Sequence, residues 1–216
     1  NALVDMYAKC GLMDLSQEVF DELLDRDVVT WNVLIKEYAQ RGHGHEALYC
    51  FERMKIGGFS PDIVTYICSL KACSSIAALD KGNKIQAEIE RWGGSMKTDP
   101  FVGSILVDMH VKCGSLAKAQ NVFDNLPVKN IVSWNALMIG YSNHGHSETA
   151  LKFLEQLQLR GILPNCTTYI CCLRACASTG AIDKGQYIHA EIQRQGLLEG
   201  DSIIGSALVD MYVKCG

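Results

Sequence analysis

The chain has 216 residues, of which 48% are hydrophobic and 20% charged, with 20 Lys plus Arg against 24 Asp plus Glu and a net charge of −4. These values fit a folded soluble protein and exclude disordered, collagen-like and strongly polybasic chains. A mildly acidic balance leaves nucleic acid open, because a basic stripe can lie on an acidic body.

In chain order, the opening segment Asn1-Ala-Leu-Val-Asp-Met-Tyr-Ala-Lys-Cys-Gly11 lacks Arg and carries Asp5, so it does not look like a signal or transit peptide. It reads as the middle of a helix, as if cut from a longer protein. Between residues 28 and 62, Trp31, Leu34, Ile35 and Tyr38 fall on one helical face. Gly42 and Gly44 break that helix. Ala47, Cys50, Phe51 and Met54 form a second face, stopped by Gly57, Gly58 and Pro61. Gly93-Gly-Ser-Met-Lys-Thr-Asp99 reads as a loop. Leu106, Met109 and His110, then Gly114, then Ala119, Val122, Phe123 and Leu126 repeat the plan of helix, turn, helix. No run alternates with the period of a strand, and no uncharged apolar run is long enough to cross a membrane.

The segments recur. The opening words return as Ser104-Ile-Leu-Val-Asp-Met-His-Val-Lys-Cys-Gly114 and as Ser206-Ala-Leu-Val-Asp-Met-Tyr-Val-Lys-Cys-Gly216, at offsets of 103 and 102 residues. Val29-Thr-Trp-Asn32 matches Val132-Ser-Trp-Asn135, and Tyr66-Ile-Cys-Ser-Leu-Lys-Ala-Cys73 matches Tyr169-Ile-Cys-Cys-Leu-Arg-Ala-Cys176. Each superperiod divides into three helical hairpins of 31, 35 and 36 residues, give or take one. One hairpin cannot bury its apolar faces alone, but a stack can, so the expected fold is an all-α solenoid.

These words resemble the pentatricopeptide repeat family, and within it the plant-type subgroup that alternates P, L and S motifs. Val28-Val-Thr-Trp-Asn32 and Ser60-Pro-Asp62 resemble the two ends of a P-type motif. Leu70-Lys-Ala-Cys73 and Leu173-Arg-Ala-Cys176 resemble L-type motifs, and the three copies ending Lys-Cys-Gly resemble S-type motifs. The resemblance divides the chain into a partial S-type repeat 1–27, then P-type 28–62, L-type 63–99, S-type 100–130, P-type 131–165, L-type 166–201 and a partial S-type 202–216. It implies stacked helix-turn-helix repeats forming a right-handed superhelix. It also implies single-stranded RNA as partner, no cofactor or metal, no catalysis within this chain, and an organellar role in a mitochondrion or chloroplast. The implied task is recognition of sites for cytidine-to-uridine editing, with any deaminase-like domain lying outside this chain.

The resemblance further implies that the fifth and last residues of each motif read one base, as such repeats do. The pairs are Asn1/Asp27, Asn32/Asp62, Ile67/Asp99, Ser104/Asn130, Asn135/Asn165 and Ile170/Asp201, with Ser206 lacking its partner. Asn with Asp resembles a uracil pair, Ser with Asn an adenine pair, and Asn with Asn a pyrimidine pair favouring cytosine. Ile offers no hydrogen bond. The implied site is 5′-UUxAYxR-3′. The same Asn and Asp residues have a second reading as helix caps and turn formers. Val29, Val64, Phe101, Val132 and Ile203, at the second position, are candidates to sandwich bases, or else to pack in the core; Thr167 departs from that apolar pattern. Lys9, Lys112 and Lys214 are candidate phosphate contacts, with helix-dipole neutralisation as the alternative. Gln40 and Asn143 occupy that register in the P-type motifs, so the basic track is thin.

Other chemistry fails on pattern. His189-Ala-Glu191 matches half of a zinc deaminase signature, but its Pro-Cys-x-x-Cys half is missing and the earlier copy reads Gln86-Ala-Glu88. Cys171, Cys172 and Cys176 sit on the apolar face that carries Cys68 and Cys73, where a thiol behaves as a small hydrophobe. His43, His45, His144 and His146 fall at turns and out of register with one another, and His110 stands where the other copies have Tyr7 and Tyr212. The competing function is a solenoid scaffold that binds a protein or peptide.

Overall fold

The structure is a computed structural model that describes residues 2–93, 99–198 and 202–216. Asn1 and Asp201 lie outside the described residues, as does most of the expected loop before Asp99. Among the described residues there are thirteen helices and no strand: α1 (Ala2–Lys9), α2 (Met13–Glu22), α3 (Val28–Gln40), α4 (Gly44–Ile56), α5 (Ile63–Ser75), α6 (Leu79–Trp92), α7 (Pro100–Lys112), α8 (Leu116–Asp124), α9 (Ile131–Asn143), α10 (Ser147–Leu159), α11 (Cys166–Thr179), α12 (Ile182–Arg194) and α13 (Ser202–Cys215). No helix is long and apolar enough to cross a membrane among these residues.

The chain forms two compact units, Asn1–Val122 and Phe123–Gly216. In the first, α1, α3, α5 and α7 pack side by side in one layer, and α2, α4 and α6 lie in a second. Each second-layer helix contacts the two first-layer helices that flank it in sequence. The second unit repeats the plan, with α9, α11 and α13 in one layer and α10 and α12 in the other. This is the architecture of an α-solenoid.

The layering follows from the distribution of apolar residues. First-layer α5 is flanked on several sides and buries Thr65, Tyr66, Cys68, Ser69, Leu70, Ala72, Cys73 and Ser74. Second-layer α6 buries only Gly82, Ile85 and Ile89 and turns its charged residues outward. Trp31, Leu34, Ile35, Ala47, Cys50, Phe51 and Met54 are all buried, on the faces their spacing implied. Edge-on aromatic pairs tie adjacent helices, Phe20 to Trp31 at 4.5 Å and Phe123 to Trp134 at 4.7 Å between ring centroids.

Two glycines show how closely the helices approach. Gly42 ends α3 with φ +81°, which lets the His43 N–H reach back to the Tyr38 carbonyl at 2.9 Å. Gly44, read from sequence as part of the break, is instead the first residue of α4. Gly82 faces α7, where an added Cβ would stand 2.5 Å from Met109 Sδ; Gly185 meets Met211 in the same way at 2.5 Å.

Candidate nucleic-acid interface

The five described residues in the last position of a motif are all helix N-caps. Asp27, Asp62, Asn130 and Asn165 accept a hydrogen bond from the backbone N–H three residues on, in Thr30, Thr65, Ser133 and Thr168. Asp99 accepts from Phe101 and Val102. The capping role weighed from sequence is therefore real, since each side chain satisfies an N–H that the helix leaves open. It does not use the side chain up. A side-chain oxygen has two lone pairs and can accept more than once, and segments 28–62 and 131–165 put that to use.

In the first unit, Asn32 Nδ2 donates to both carboxylate oxygens of Asp62, each at 3.0 Å. The Thr65 hydroxyl donates to Asn32 Oδ1 at 2.6 Å and accepts from the Asp62 N–H at 3.1 Å. In the second unit, Asn135 Nδ2 donates to Asn165 Oδ1 at 3.0 Å. The Thr168 hydroxyl donates to Asn135 Oδ1 at 2.8 Å and accepts from the Asn165 N–H at 3.2 Å. Residues thirty positions apart are thus brought together, once in each unit, with the same geometry. Asn32 and Asn135 are both nearly buried, so their carboxamides are held and not free to rotate.

The two networks differ in charge. Burial pushes the Asp62 carboxyl up, but the Thr65 N–H and hydroxyl, the Asn32 amide and the Val64 N–H outweigh it and hold the group below the ordinary carboxylate range. Asp62 is therefore an anionic acceptor at neutral pH. Asn165 commits Oδ1 to the cap and to Asn135, while its Nδ2 has no partner among the described residues. One pair thus offers an acceptor at its last residue and the other a donor.

The second-position residues flank these pairs and are not core. Val29 is 61% exposed, Val64 42%, Phe101 52%, Val132 50% and Ile203 61%. Thr167 is exposed as well. The core-packing alternative is thereby excluded for this row, which presents one large apolar side chain in the first turn of α3, α5, α7, α9 and α13.

The remaining expected site residues are arranged differently. Ser104 and Ser206 donate their hydroxyls to the carbonyls of Pro100 and Ser202, at 2.6 and 2.8 Å within their own helices. Lys9, Lys112 and Lys214 are exposed, but each is ion-paired one turn back, with Asp5 at 2.6 Å, Asp108 at 2.9 Å and Asp210 at 2.9 Å. Such surface pairs contribute little and exchange readily. Ile67 and Ile170 are half-buried.

Thr65 and Thr168 were not picked out from the sequence. Their signal was present, as Asp62-x-x-Thr65 and Asn165-x-x-Thr168 each follow the capping-box spacing, and both boxes form. The rejected features also have structural partners. His189 Nδ1 lies 3.0 Å from the Tyr212 hydroxyl. Cys171, Cys172 and Cys176 are buried free thiols whose pKa burial drives up. Among the described residues no group of three His, Cys, Asp or Glu side chains is placed to hold a metal.

A family model described as the PPR repeat family matches residues 26–75 and 129–178, and one described as the PPR repeat matches residues 1–28. Among curated proteins of Arabidopsis thaliana, the chain is 38% identical over 215 residues to pentatricopeptide repeat-containing protein At4g18520, chloroplastic, covering 100% of this chain and 34% of that protein. It is 36% identical over 216 residues to pentatricopeptide repeat-containing protein At5g27110, covering 100% of this chain and 31% of that protein. It is 36% identical over 214 residues to pentatricopeptide repeat-containing protein At3g09040, mitochondrial, covering 99% of this chain and 20% of that protein. The chain spans about a third or less of the length of these relatives. Among solved structures, the pentatricopeptide repeat protein PPR10 in complex with an 18-nt psaJ RNA element superposes with a TM-score of 0.72 at 22% identity, over 86% of this chain and 28% of that one. Nuclear proteinaceous RNase P 2 from A. thaliana superposes with a TM-score of 0.62 at 13% identity, over 88% of this chain and 44% of that one. Both are likenesses of fold.

Proposed function

The chain belongs to the pentatricopeptide repeat family, and on that premise we propose that it binds single-stranded RNA by sequence, one base to each repeat that carries a polar reading pair. The observation that carries this reading is the unit formed twice over: a fixed carboxamide at the fifth position, a polar cap at the last, and exposed apolar side chains at the second. An exposed Val or Phe beside a held amide can sandwich an unpaired base while the amide sorts its edge.

The donor pattern fits the assigned bases. Uracil presents an N–H at its reading edge, and the Asp62 carboxylate accepts from it. Cytosine presents a bare ring nitrogen there, and the unengaged Asn165 amide donates to it. The repeats divide as S-type 1–27, P-type 28–62, L-type 63–99, S-type 100–130, P-type 131–165, L-type 166–201 and partial S-type 202–216. With RNA parallel to the chain the site is 5′-UUxAYxR-3′; the L-type repeats, with Ile67 and Ile170, read little. Lys9, Lys112 and Lys214 exchange their Asp partners for phosphates. The parent protein acts in RNA processing in a chloroplast or mitochondrion, as the names of two relatives suggest, by marking cytidines for editing. The chain itself supplies recognition and no catalysis.

The test is a low-salt anisotropy titration of the 216-residue chain against RNA containing 5′-UUxAYxR-3′, a scrambled RNA and the matched duplex. Preference for the matched single strand supports the reading. Equal binding to all three removes it, and the solenoid then stands as a scaffold for a protein partner.

A further inference from the structure

We propose that Thr65 and Thr168, each in the third position of an L-type repeat, are specificity-positioning residues for the P-type repeat before it. The inference rests on the base-reading proposal for Asn32 and Asn135 and deepens it. It gives the L-type repeats, whose own fifth residues are Ile67 and Ile170, a part in reading the base assigned to their neighbour.

Asn32 and Asn135 are 8% and 7% exposed, so neither oxygen nor nitrogen is well served by water. A buried amide oxygen without a donor is costly, and the side chain leaves its place to find one. The Thr65 hydroxyl at 2.6 Å and the Thr168 hydroxyl at 2.8 Å are the protein donors to those oxygens. Each Thr sits in the first turn of α5 or α11 and is itself fixed, because its backbone N–H and its Oγ1 both engage the cap residue. The hydroxyl is therefore held in place; it has one proton, and the Asn32 and Asn135 oxygens at 2.6 and 2.8 Å lie nearer to it than the cap oxygens of Asp62 and Asn165 at 2.9 and 3.0 Å. It fixes which end of the carboxamide faces the next repeat and leaves the amide nitrogen on the Asp62 or Asn165 side. A reading unit is thus three residues from two repeats, not two from one.

The two copies are not equally dependent on it. Asp62 is a carboxylate and repels a reversed carboxamide oxygen by charge alone. Asn165 is neutral and exerts no such repulsion. Thr168 consequently carries more of the orientation at Asn135 than Thr65 carries at Asn32.

The test compares the chain with Thr168→Val, Thr168→Ser, Thr65→Val and Thr65→Ser variants. Each is titrated with the matched RNA and with RNAs altered only at the base opposite the affected repeat. About tenfold discrimination is expected for the unaltered chain, equivalent to about 1.4 kcal/mol. Thr168→Val is expected to bring it within about twofold at the fifth base, and Thr65→Val to reduce it less at the second. The Ser variants keep the hydroxyl and keep the discrimination. Circular dichroism reports whether each Val variant folds. Independently of any variant, the carboxamide protons of Asn32 and Asn135 in the RNA-free chain should exchange with water far more slowly than those of the exposed Asn143. Discrimination by the unaltered chain that persists in folded Thr168→Val and Thr65→Val overturns the proposal and leaves base reading intact. So does carboxamide exchange as fast as at Asn143. No discrimination by the unaltered chain overturns base reading itself, and this proposal with it.

Discussion

His110 Nε2 lies 2.7 Å from the Gln86 carboxamide oxygen, and one superperiod later the same two registers hold His189 and Tyr212, whose Nδ1 and hydroxyl lie 3.0 Å apart. The imidazole has moved from one helix to the other while a polar pair across the helices is kept. In the first unit the ring is fully buried and its Nδ1 has no partner among the described residues. Burial, with a smaller contribution from Lys118, pulls the His110 pKa down from 6.5 to about 4. The folded chain therefore keeps this ring neutral where the unfolded chain protonates it. Stability from this residue is complete above pH 6.5 and falls as the pH drops towards 4, by no more than about 3 kcal/mol. Urea denaturation between pH 7 and pH 4.5 should show the loss. His110→Tyr, paired with Gln86→His to restore the second unit's arrangement, should flatten that part of the profile. An unchanged slope in the double variant would assign the loss to carboxylates elsewhere.

Close approach of α6 to α7 gives a second prediction. Gly82→Ala places a Cβ only 2.5 Å from Met109 Sδ. The thioether is flexible and can move, so overpacking costs about 1–3 kcal/mol, partly offset by the better helix propensity of Ala. Met109→Ala alone also destabilises, by leaving a cavity. The double variant should lose less than the sum of the two singles, because the methyl group then has room. Additive losses would show that the clash is relieved by backbone movement and not by the methionine.

The helical layers were legible because burial follows a period that composition cannot hide: Trp31, Leu34 and Ile35, or Ala119 and Phe123, are buried where their spacing put them. The site was legible only in part, and for definite reasons. Asp62 and Asn165 fit both a cap and a partner for the fifth residue, and a sequence cannot show that one side chain serves both at once. Val29 and Val132 are residue types common in cores, and only their place in the folded chain leaves them exposed. Thr65 carries the spacing of a common capping box, but its donation to Asn32 spans 33 positions, which no local pattern shows. From sequence the lysines fit a helix-end role at least as well as a phosphate contact, and the structure gives each an Asp partner one turn back.

Those pairs decide how the lysines are tested. If Lys112 contacts a phosphate, Lys112→Ala weakens matched and scrambled RNA alike and reduces the slope of log K against log salt by about 0.7. The Asp108 partner then matters in the opposite sense, since Asp108→Asn frees the lysine and strengthens binding. Titrations at four salt concentrations separate this from a local helix-end role, for which the slope stays as it is.

The last prediction exchanges the two caps. Asp62→Asn keeps an oxygen for the Thr65 N–H, so α5 stays capped and stability changes by less than about 1 kcal/mol. It also replaces an anionic acceptor by an amide donor, and the second base of the site should shift from uracil towards cytosine. Asn165→Asp does the reverse for the fifth base, with the Thr168 cap retained. The two changes lie in separate units, so their effects on binding should add. Affinities for the four RNAs that carry U or C at those two bases measure both shifts at once. A change in overall affinity without a change in base preference would mean that Asp62 and Asn165 cap helices and nothing more.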